Sequence, residues 1–563
     1  MCNSVVTQTV GIIAGELSKA ASKHMALILK ERIEARCPAV VIEGEGDINI
    51  HLSVCAGFGE EGFRIEDGNN GCISITGNDC LGLLYGIGKF LHTSLYGCGG
   101  VTPSTWRGTS IPQGKVRGMY FASHFFNWYH VATESELSCY MEDLALWGVN
   151  SIMLVFPIIN LFSWDDAETE NSFNQMKKIY RSAKVLGLKT GLIVVPNQDF
   201  RKAREDIKAV PNIDPSGRKG NNGNNICPNA PGAKEYIIKN MEEVFSHMKD
   251  VAPDYLCLWP YDEGGCGCDR CYPWGANGYL SISEAIAAIA HKFFPNIRVI
   301  LSTWVFDNPP EGEWEGLSKA LAGKESWVDY ILADSHEDFP SYPLNNPVPG
   351  RLPLLNFPEI SMWGLSPWGG YGATPLPGRF ERLWKQVRHI VKGGFPYSEG
   401  IYEDINKVVI SRFYWDAGTT AEESLKDYIS YEFSKDVMDD VIKMVELIEK
   451  NHLKVVDGNR ADIDDADLAF EIAERVNGKL PEFAKKAWRW RILYIRTLLD
   501  RERYKAVKED EWPWPSCKSW GVMLEGNRLA EDAMKELVTI YHAKSVDDGT
   551  CPQHAWIRPP LKA

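Results

Sequence analysis

Residues 254–275 read DYLCLWPYDEGGCGCDRCYPWG. A short apolar run stops at two adjacent acids, Asp262 and Glu263, and a glycine pair; three cysteines then follow as Cys-x-Cys-x2-Cys. An apolar run of this length between turn signals marks a strand buried on both faces. Its recurrence decides the fold. From Lys115 onward the same signal returns in VRGMYFAS, SIMLVFP, KTGLIVVP, IRVILSTW, VDYILAD, LPLLNFP and GFPYSEG. Most of the gaps carry helical periodicity. The first opens with the capping box Thr133-x-x-Glu136 and puts Leu137, Tyr140, Met141, Leu144 and Trp147 on one face. Eight such units predict a (β/α)8 TIM barrel over residues 113–416, in an α/β chain. The sixth helix is weak, because SHEDFPSYPLNNPVPG is mostly turn residues.

Working outward, residues 1–112 read as a small α/β domain. A helix is expected over 10–36. AVVIEG and INIHLSV are strands, FRIEDGNNGCISITGND is a hairpin around a Gly/Asn turn, and CLGLLYGIGKFLHTS is a helix. After Trp415 the strand signal ends, and residues 417–563 read as a helical C-terminal domain. With 563 residues the chain exceeds what one core holds.

A net charge of −15 excludes nucleic acid and anionic membrane as partners, since phosphates would be repelled. No run of 18 apolar residues and no basic leader is visible, so the 14 cysteines are expected reduced in the cytoplasm, or the chain is a secreted mature form. The 19 Trp favour a flat-faced ligand such as a sugar ring. Trp488, Trp490, Trp512 and Trp514 are expected to pack in the C-terminal domain, with EWPWPSC as a wall of the cleft or a homodimer contact as the alternatives. There is no Gly-x-Ser-x-Gly elbow, no His-Glu-x-x-His and no strand-bound Gly-x-Gly-x-x-Gly.

In a barrel of this type chemistry sits at the C-terminal strand ends. Those ends carry His124; Asn197 and Asp199; Tyr261, Asp262 and Glu263; Trp304 and Asp307; Asp334, His336 and Glu337; Glu359 and Trp363; and Tyr397, Glu399, Tyr402, Glu403 and Asp404. Arg117 starts the first strand. Carboxylates and rings around a cup suit glycoside cleavage. One acid protonates the leaving oxygen, an anion supports the oxocarbenium-like transition state, and rings stack on the sugar. Asp262 and Glu263 are the sharpest pair, because two close carboxylates cannot both ionise cheaply and one becomes an acid at neutral pH. Spacing alone is equally compatible with an acidic surface turn.

Cys266, Cys268 and Cys271 offer three thiolates to a structural zinc, with a fourth ligand from Cys257, Cys227 or His291. The alternative is free buried thiols. No cofactor is expected for catalysis, because acetal hydrolysis needs an acid more than a Lewis acid.

GFRIEDGNNGCISITGNDCLGLLYGIGKFL, KVRGMYFASHFF, and ICPNAPGAKEYIIKNMEEVF leading to DYLCLWPYDE resemble the family 20 β-N-acetylhexosaminidases over roughly residues 40–265. The domain order also resembles α-glucuronidases and α-N-acetylglucosaminidases. The resemblance implies an exo-acting glycosidase, with an N-acetylhexosaminide as the first substrate class. It implies Glu263 as general acid/base, Asp262 on a substrate acetamido group, Arg117 on sugar hydroxyls, and Trp304 and Trp363 as subsite walls. The family's Gly-Gly-Asp-Glu stands here as Trp-Pro-Tyr-Asp-Glu. The α-glucuronidase-like alternative keeps Glu263 and draws a base or nucleophile from Asp334, Glu359 or Glu399. Asn197, Tyr261, Tyr397 and Glu403 complete the expected substrate contacts. The competing class is a non-catalytic carbohydrate-binding protein.

Overall fold

The computed structural model describes residues 8–14, 19–125, 127–201, 204–211, 224–261, 264–323, 327–336, 338–360, 373–507 and 530–542. Eight parallel strands close into a barrel: Val116–Phe121, Ser151–Val155, Lys189–Val194, Tyr255–Leu258, Arg298–Ser302, Tyr330–Ser335, Leu354–Pro358 and Val391–Gly394. The first strand pairs with both the second and the eighth, which leaves no free edge. Tyr397–Ser398 continues the eighth strand along the first. Gly393 makes the seam possible, since at φ 120° a Cβ there would lie 1.7 Å from the Val116 carbonyl oxygen.

Alternate residues point inward. Val116, Tyr120, Met153, Ile193, Tyr255, Cys257, Ile300, Tyr330, Leu332, Leu355, Phe357 and Phe395 fill the barrel as their own apolar cluster. The interior is therefore a packed core rather than a pore. The capping box at Thr133 and Glu136 forms as the sequence predicts, at the start of helix Glu134–Leu146. Among its described residues the sixth connection holds the short helix Ser341–Asn345 and a 3-10 turn.

The N-terminal sheet runs Val40–Glu43, Thr9–Ala14, Ile48–Val54, Ile73–Gly77, Phe63–Asp67, Gly108–Ser110. The expected hairpin is the antiparallel pair Phe63–Asp67 and Ile73–Gly77. One expectation is corrected. Residues 9–14 are a strand, and the helix spans only Lys19–Glu34. Val10 and Ile12 bury one face between two parallel neighbours, and this pairing overrides the helical period that the apolar residues also fit. Helix Cys80–Thr93 is capped by the Asp79 side chain and presses on the barrel helix Glu134–Leu146. The contact is close enough that a Cβ on Gly88 would sit 2.1 Å from the Leu146 carbonyl oxygen.

Helices Asp404–Trp415, Ala421–Glu432, Met438–Val456, Ile463–Lys479, Trp488–Ala506 and Glu531–Ile540 follow the barrel. A buried charge network joins them to the rest. Arg489 reaches Asp404 at 2.7 Å and Asp143 at 2.9 Å, Arg32 reaches Asp143 and Glu142 at 2.9 Å, and Arg36 reaches Glu432 at 3.0 Å. Among the described residues no helix is long and apolar enough to cross a membrane. EWPWPSC lies outside the described residues.

Candidate active site

Strand parity decides which rim residues face the cup. Leu355 and Phe357 point inward, which carries Glu359 to the mouth of the barrel; on the eighth strand Phe395 and Tyr397 do the same for Glu399. Glu359 bridges to Tyr397 across the strand ends, so the two acids stand on neighbouring strands. Both are buried, Glu359 fully and Glu399 at 3% exposed. The Tyr397 hydroxyl donates to Glu399 Oε1 at 2.6 Å. Burial pushes the Glu399 carboxyl well above the usual carboxylate range. The Tyr397 hydrogen bond opposes that push, and the Glu359 and Glu403 charges add to it.

Arg379, on helix Pro377–Val387, donates to the Glu359 and His336 carbonyl oxygens at 3.0 and 3.1 Å. Burial brings its guanidinium down to about 10, with the Glu359 charge acting against that, so it stays a cation at neutral pH. The Arg379 cation and the Glu359 charge attract, while burial favours the protonated form of Glu399. The two carboxyls thus sit in different surroundings, one beside a guanidinium and the other against a tyrosine hydroxyl. A neutral carboxyl can donate to a sugar oxygen, and an anion can face positive charge at an anomeric carbon.

Asp334 shares the inward parity of Tyr330 and Leu332 and is half-buried. Its oxygens accept from the Val305 and His336 backbone N–H groups at 3.1 and 2.9 Å. The half-buried Trp304 ring lies 5.4 Å from Trp259, 5.2 Å from His336 and 5.9 Å from Phe357. The half-buried His124 has its ring 6.4 Å from that of Tyr120, and burial lowers it to about 3, so it is neutral at physiological pH. The structure therefore groups Glu359, Glu399, Tyr397, Asp334 and Trp304 at one end of the barrel, with His124 above Tyr120 of the first strand.

Four expected substrate contacts are placed elsewhere. Arg117 sits at the opposite end of its strand, 1% exposed, paired with Glu61 at 2.6 Å and donating to the Gly148 and Gly114 carbonyl oxygens. Its parity is opposite to that of Val116, so it faces the N-terminal sheet. Asn197 spends its amide on the Ile226 and Gly265 carbonyl oxygens and the Gly265 N–H, tying two loops together. Tyr261 lies beyond the strand, where the chain turns at Pro260. Its hydroxyl donates to Glu313, so the ring packs beneath the cysteine loop. Glu403 lies behind the eighth strand, accepting from Ser398 Oγ and the Gly400 N–H and pairing with Lys407 at 3.6 Å. Asp262, Glu263 and Trp363 lie outside the described residues.

Trp259 and Arg379 were not singled out from the sequence. Trp259 was legible as the third inward residue after Tyr255 and Cys257. Arg379 comes from a helix, and nothing in the strand pattern points to it.

Beside the mouth, the sulfur atoms of Cys227, Cys266, Cys268 and Cys271 all lie within 4.8 Å of one another. Burial raises the Cys227 thiol to about 11, while a hydrogen bond from Cys271 brings Cys266 down to about 5. Cys257 lies in the barrel core and His291 is exposed, so neither is the fourth member.

No protein-family model matches the chain. Among curated proteins the β-galactosidase BgaP of Planococcus sp. (strain L4) is 21% identical over 283 residues, which is 46% of this chain and 41% of that enzyme's length. The matched stretch thus spans less than half of that relative. Three solved glycosidases share the fold. A family GH115 4-O-methyl-α-glucuronidase with specificity for decorated arabinogalactans superposes with TM-score 0.61 at 11% identity, over 98% of this chain and 78% of that one. The Clostridium perfringens GH89 enzyme, solved with its substrate GlcNAc-α-1,4-galactose, gives TM-score 0.61 at 12% identity over 93% and 65%. A GH138 enzyme targeting pectin rhamnogalacturonan II gives 0.55 at 12% over 95% and 93%. At these identities the likeness is one of fold: a (β/α)8 barrel with flanking domains, as the sequence resemblance implies.

Proposed function

We propose that the protein is a glycoside hydrolase that removes a terminal sugar, with Glu263 as proton donor and the Glu359–Glu399 pair as the facing carboxyls. The observation that carries this reading is the pair itself: two buried acids on neighbouring strand ends, one beside Arg379 and one hydrogen-bonded by Tyr397. In the reaction Glu263 gives its proton to the glycosidic oxygen as the C1–O bond breaks. Ionised Glu359 faces the positive charge at C1, as nucleophile or as the base that takes a proton from the attacking water. The aromatic wall of Trp259 and Trp304 receives the flat face of the ring. Because this chain supplies its own second carboxylate, an acetamido group on the substrate is not required, and uronic acid and neutral sugars are admitted beside N-acetylhexosamines.

The test is a panel of aryl α- and β-glycosides, comprising N-acetylhexosaminides, glucuronides and galactosides, against the full chain and its Glu263→Gln and Glu359→Gln variants. Loss of either group is expected to lower kcat by about 10²–10⁴-fold on the substrate that turns over. Near-wild-type Glu263→Gln would remove the proton donor from the assignment. Loss in Glu263→Gln with full activity in Glu359→Gln supports the second reading, in which the substrate's acetamido group attacks C1 with help from Asp262. Glycan binding with no turnover of any glycoside defeats both and leaves a binding protein.

A further inference from the structure

Cys227 stands 41 residues before Cys268, in the loop that enters helix Ala233–His247. The other three cysteines follow the fourth barrel strand. The fold brings the two loops together so that Cys227 Sγ and Cys268 Sγ lie 3.7 Å apart. That is far too long for a disulfide, whose sulfur atoms stand about 2.05 Å apart, and all four cysteines are free. It does match the edge of a tetrahedron of sulfurs around one ion: with metal–sulfur bonds of about 2.3 Å, the sulfur–sulfur edge is about 3.8 Å.

The surrounding backbone holds that arrangement. The Cys268 carbonyl oxygen accepts from the Cys271 and Tyr272 N–H groups at 2.9 and 3.0 Å, a tight turn that aims Cys268 and Cys271 the same way. The Cys271 carbonyl accepts from the Gly278 N–H at 3.2 Å, and Gly267 N–H donates to the Val210 carbonyl at 2.9 Å. Asn229 Nδ2 donates to Cys271 Sγ at 3.1 Å, as outer groups do at thiolate metal sites. Beneath the loop the fully buried Trp274 donates to the Pro260 carbonyl at 2.6 Å. Cys266 and Cys271 are fully buried and Cys227 nearly so.

We propose that Cys227, Cys266, Cys268 and Cys271 bind one Zn²⁺ as a closed tetrathiolate site that staples the third and fourth strand-end loops to each other. Four sulfur ligands select a borderline-soft ion and reject the oxygen-seeking Mg²⁺ and Ca²⁺. The sulfurs lie within 4.8 Å of one another, around a single centre, whereas the thiolates of an iron–sulfur cluster are divided among two or four irons. Binding displaces the thiol protons to solvent, and no electron is transferred. With all four positions filled by protein the ion has no opening for substrate, so its role is to fix the loop that begins directly after Glu263. The inference stands on the cysteine geometry alone. A zinc-free, active enzyme refutes it and leaves the hydrolase reading intact; an inactive zinc protein does the reverse.

The experiment is metal analysis of the full chain, purified without a polyhistidine tag and desalted from a chelator. About one zinc per chain and negligible iron are expected, and Co²⁺ refolded into the protein should show the intense visible bands of a tetrahedral tetrathiolate. Cys227→Ser should lose most of the metal, whereas Cys55→Ser, at an exposed thiol away from the cluster, should retain it. If Cys227→Ser does not fold, titration of the wild type with an organomercurial should release the zinc as the four thiols react. Less than about 0.2 metal per chain, four cluster thiols that react without releasing metal, or iron in place of zinc overturns the proposal.

Discussion

Glu61→Gln tests the relocation of Arg117 most directly. The Arg117 guanidinium is 1% exposed, lies 2.6 Å from Glu61, 2.7 Å from the Gly148 carbonyl and 2.9 Å from the Gly114 carbonyl, and stacks 5.0 Å over Trp415. Asn150 Nδ2 also donates to Glu61, at 3.1 Å. Removing one partner of a buried ion pair leaves a charge without compensation and costs about 3–5 kcal/mol. The glutamine keeps one acceptor for Asn150, so the loss is expected near about 3 kcal/mol. Arg117→Met should cost at least as much, because Glu61 keeps only the Asn150 donor while losing its counter-charge, two carbonyl oxygens lose the guanidinium, and each buried unsatisfied group costs about 1–3 kcal/mol. The double variant leaves neither charge buried alone, so its loss should fall short of the sum by more than about 1 kcal/mol. Urea unfolding followed by tryptophan fluorescence measures all three, and KM on the turned-over glycoside is read well below the unfolding midpoint. KM should stay within twofold of wild type, estimated as about 0.4 kcal/mol or less of binding free energy. A tenfold rise in KM with unchanged urea midpoints would falsify this reasoning and return Arg117 to the cup.

Three further outcomes are expected. Folding raises the Glu399 pKa, so its protonated form contributes stability that is complete below the ordinary carboxyl value of about 4.3 and drains away as pH rises through the raised value; Glu399→Gln, fixed in the neutral state, should flatten that decline, and parallel stability–pH profiles for the two proteins would contradict it. Trp304→Ala removes the half-exposed ring of the aromatic wall and should raise KM roughly tenfold with kcat little changed; an equal fall in kcat alone would give the ring a role in the reacting step. Gly88→Ala drives a methyl into the Leu146 carbonyl and should cost about 1–3 kcal/mol. Gly478→Ala, where a Cβ meets nothing within 4 Å on helix Ile463–Lys479, should stabilise by about 0.5–1 kcal/mol. Similar melting shifts for this glycine pair would show that the helix-to-barrel contact is looser than described.

The barrel was legible because each of its strands is an apolar run that turn residues interrupt, and a strand buried on both faces needs no finer code. The N-terminal strand was hidden in what reads as one helix, since Val10, Gly11, Ile12 and Ile13 suit either period until Val40–Glu43 and Ile48–Val54 are placed beside them. At the site, position along the chain was readable and direction only partly so. Parity from Val116 and Tyr120 already turns Arg117 outward, and parity from Tyr255 carries Trp259 inward; both were available and unused. Parity holds one residue past the ladder, at Trp259 and Glu399, and is lost farther on, which is why Tyr261 and Glu403 could not be oriented from the sequence. Arg379 and Cys227 come from other units of the chain, and only the closed barrel brings them to their partners.

The charge network around Arg489 also fixes an order of events during synthesis. Asp404 and Asp143 precede their shared cation, Arg489, by 85 and 346 residues respectively. At ribosomal speeds the 85-residue interval alone lasts roughly 4–17 s. Through that interval Asp404 lacks Arg489, whereas Asp143 already has Arg32, made 111 residues ahead of it. A polypeptide that ends before residue 489 thus leaves Asp404 to the Tyr140 and Tyr428 hydroxyls and Asp143 to Arg32.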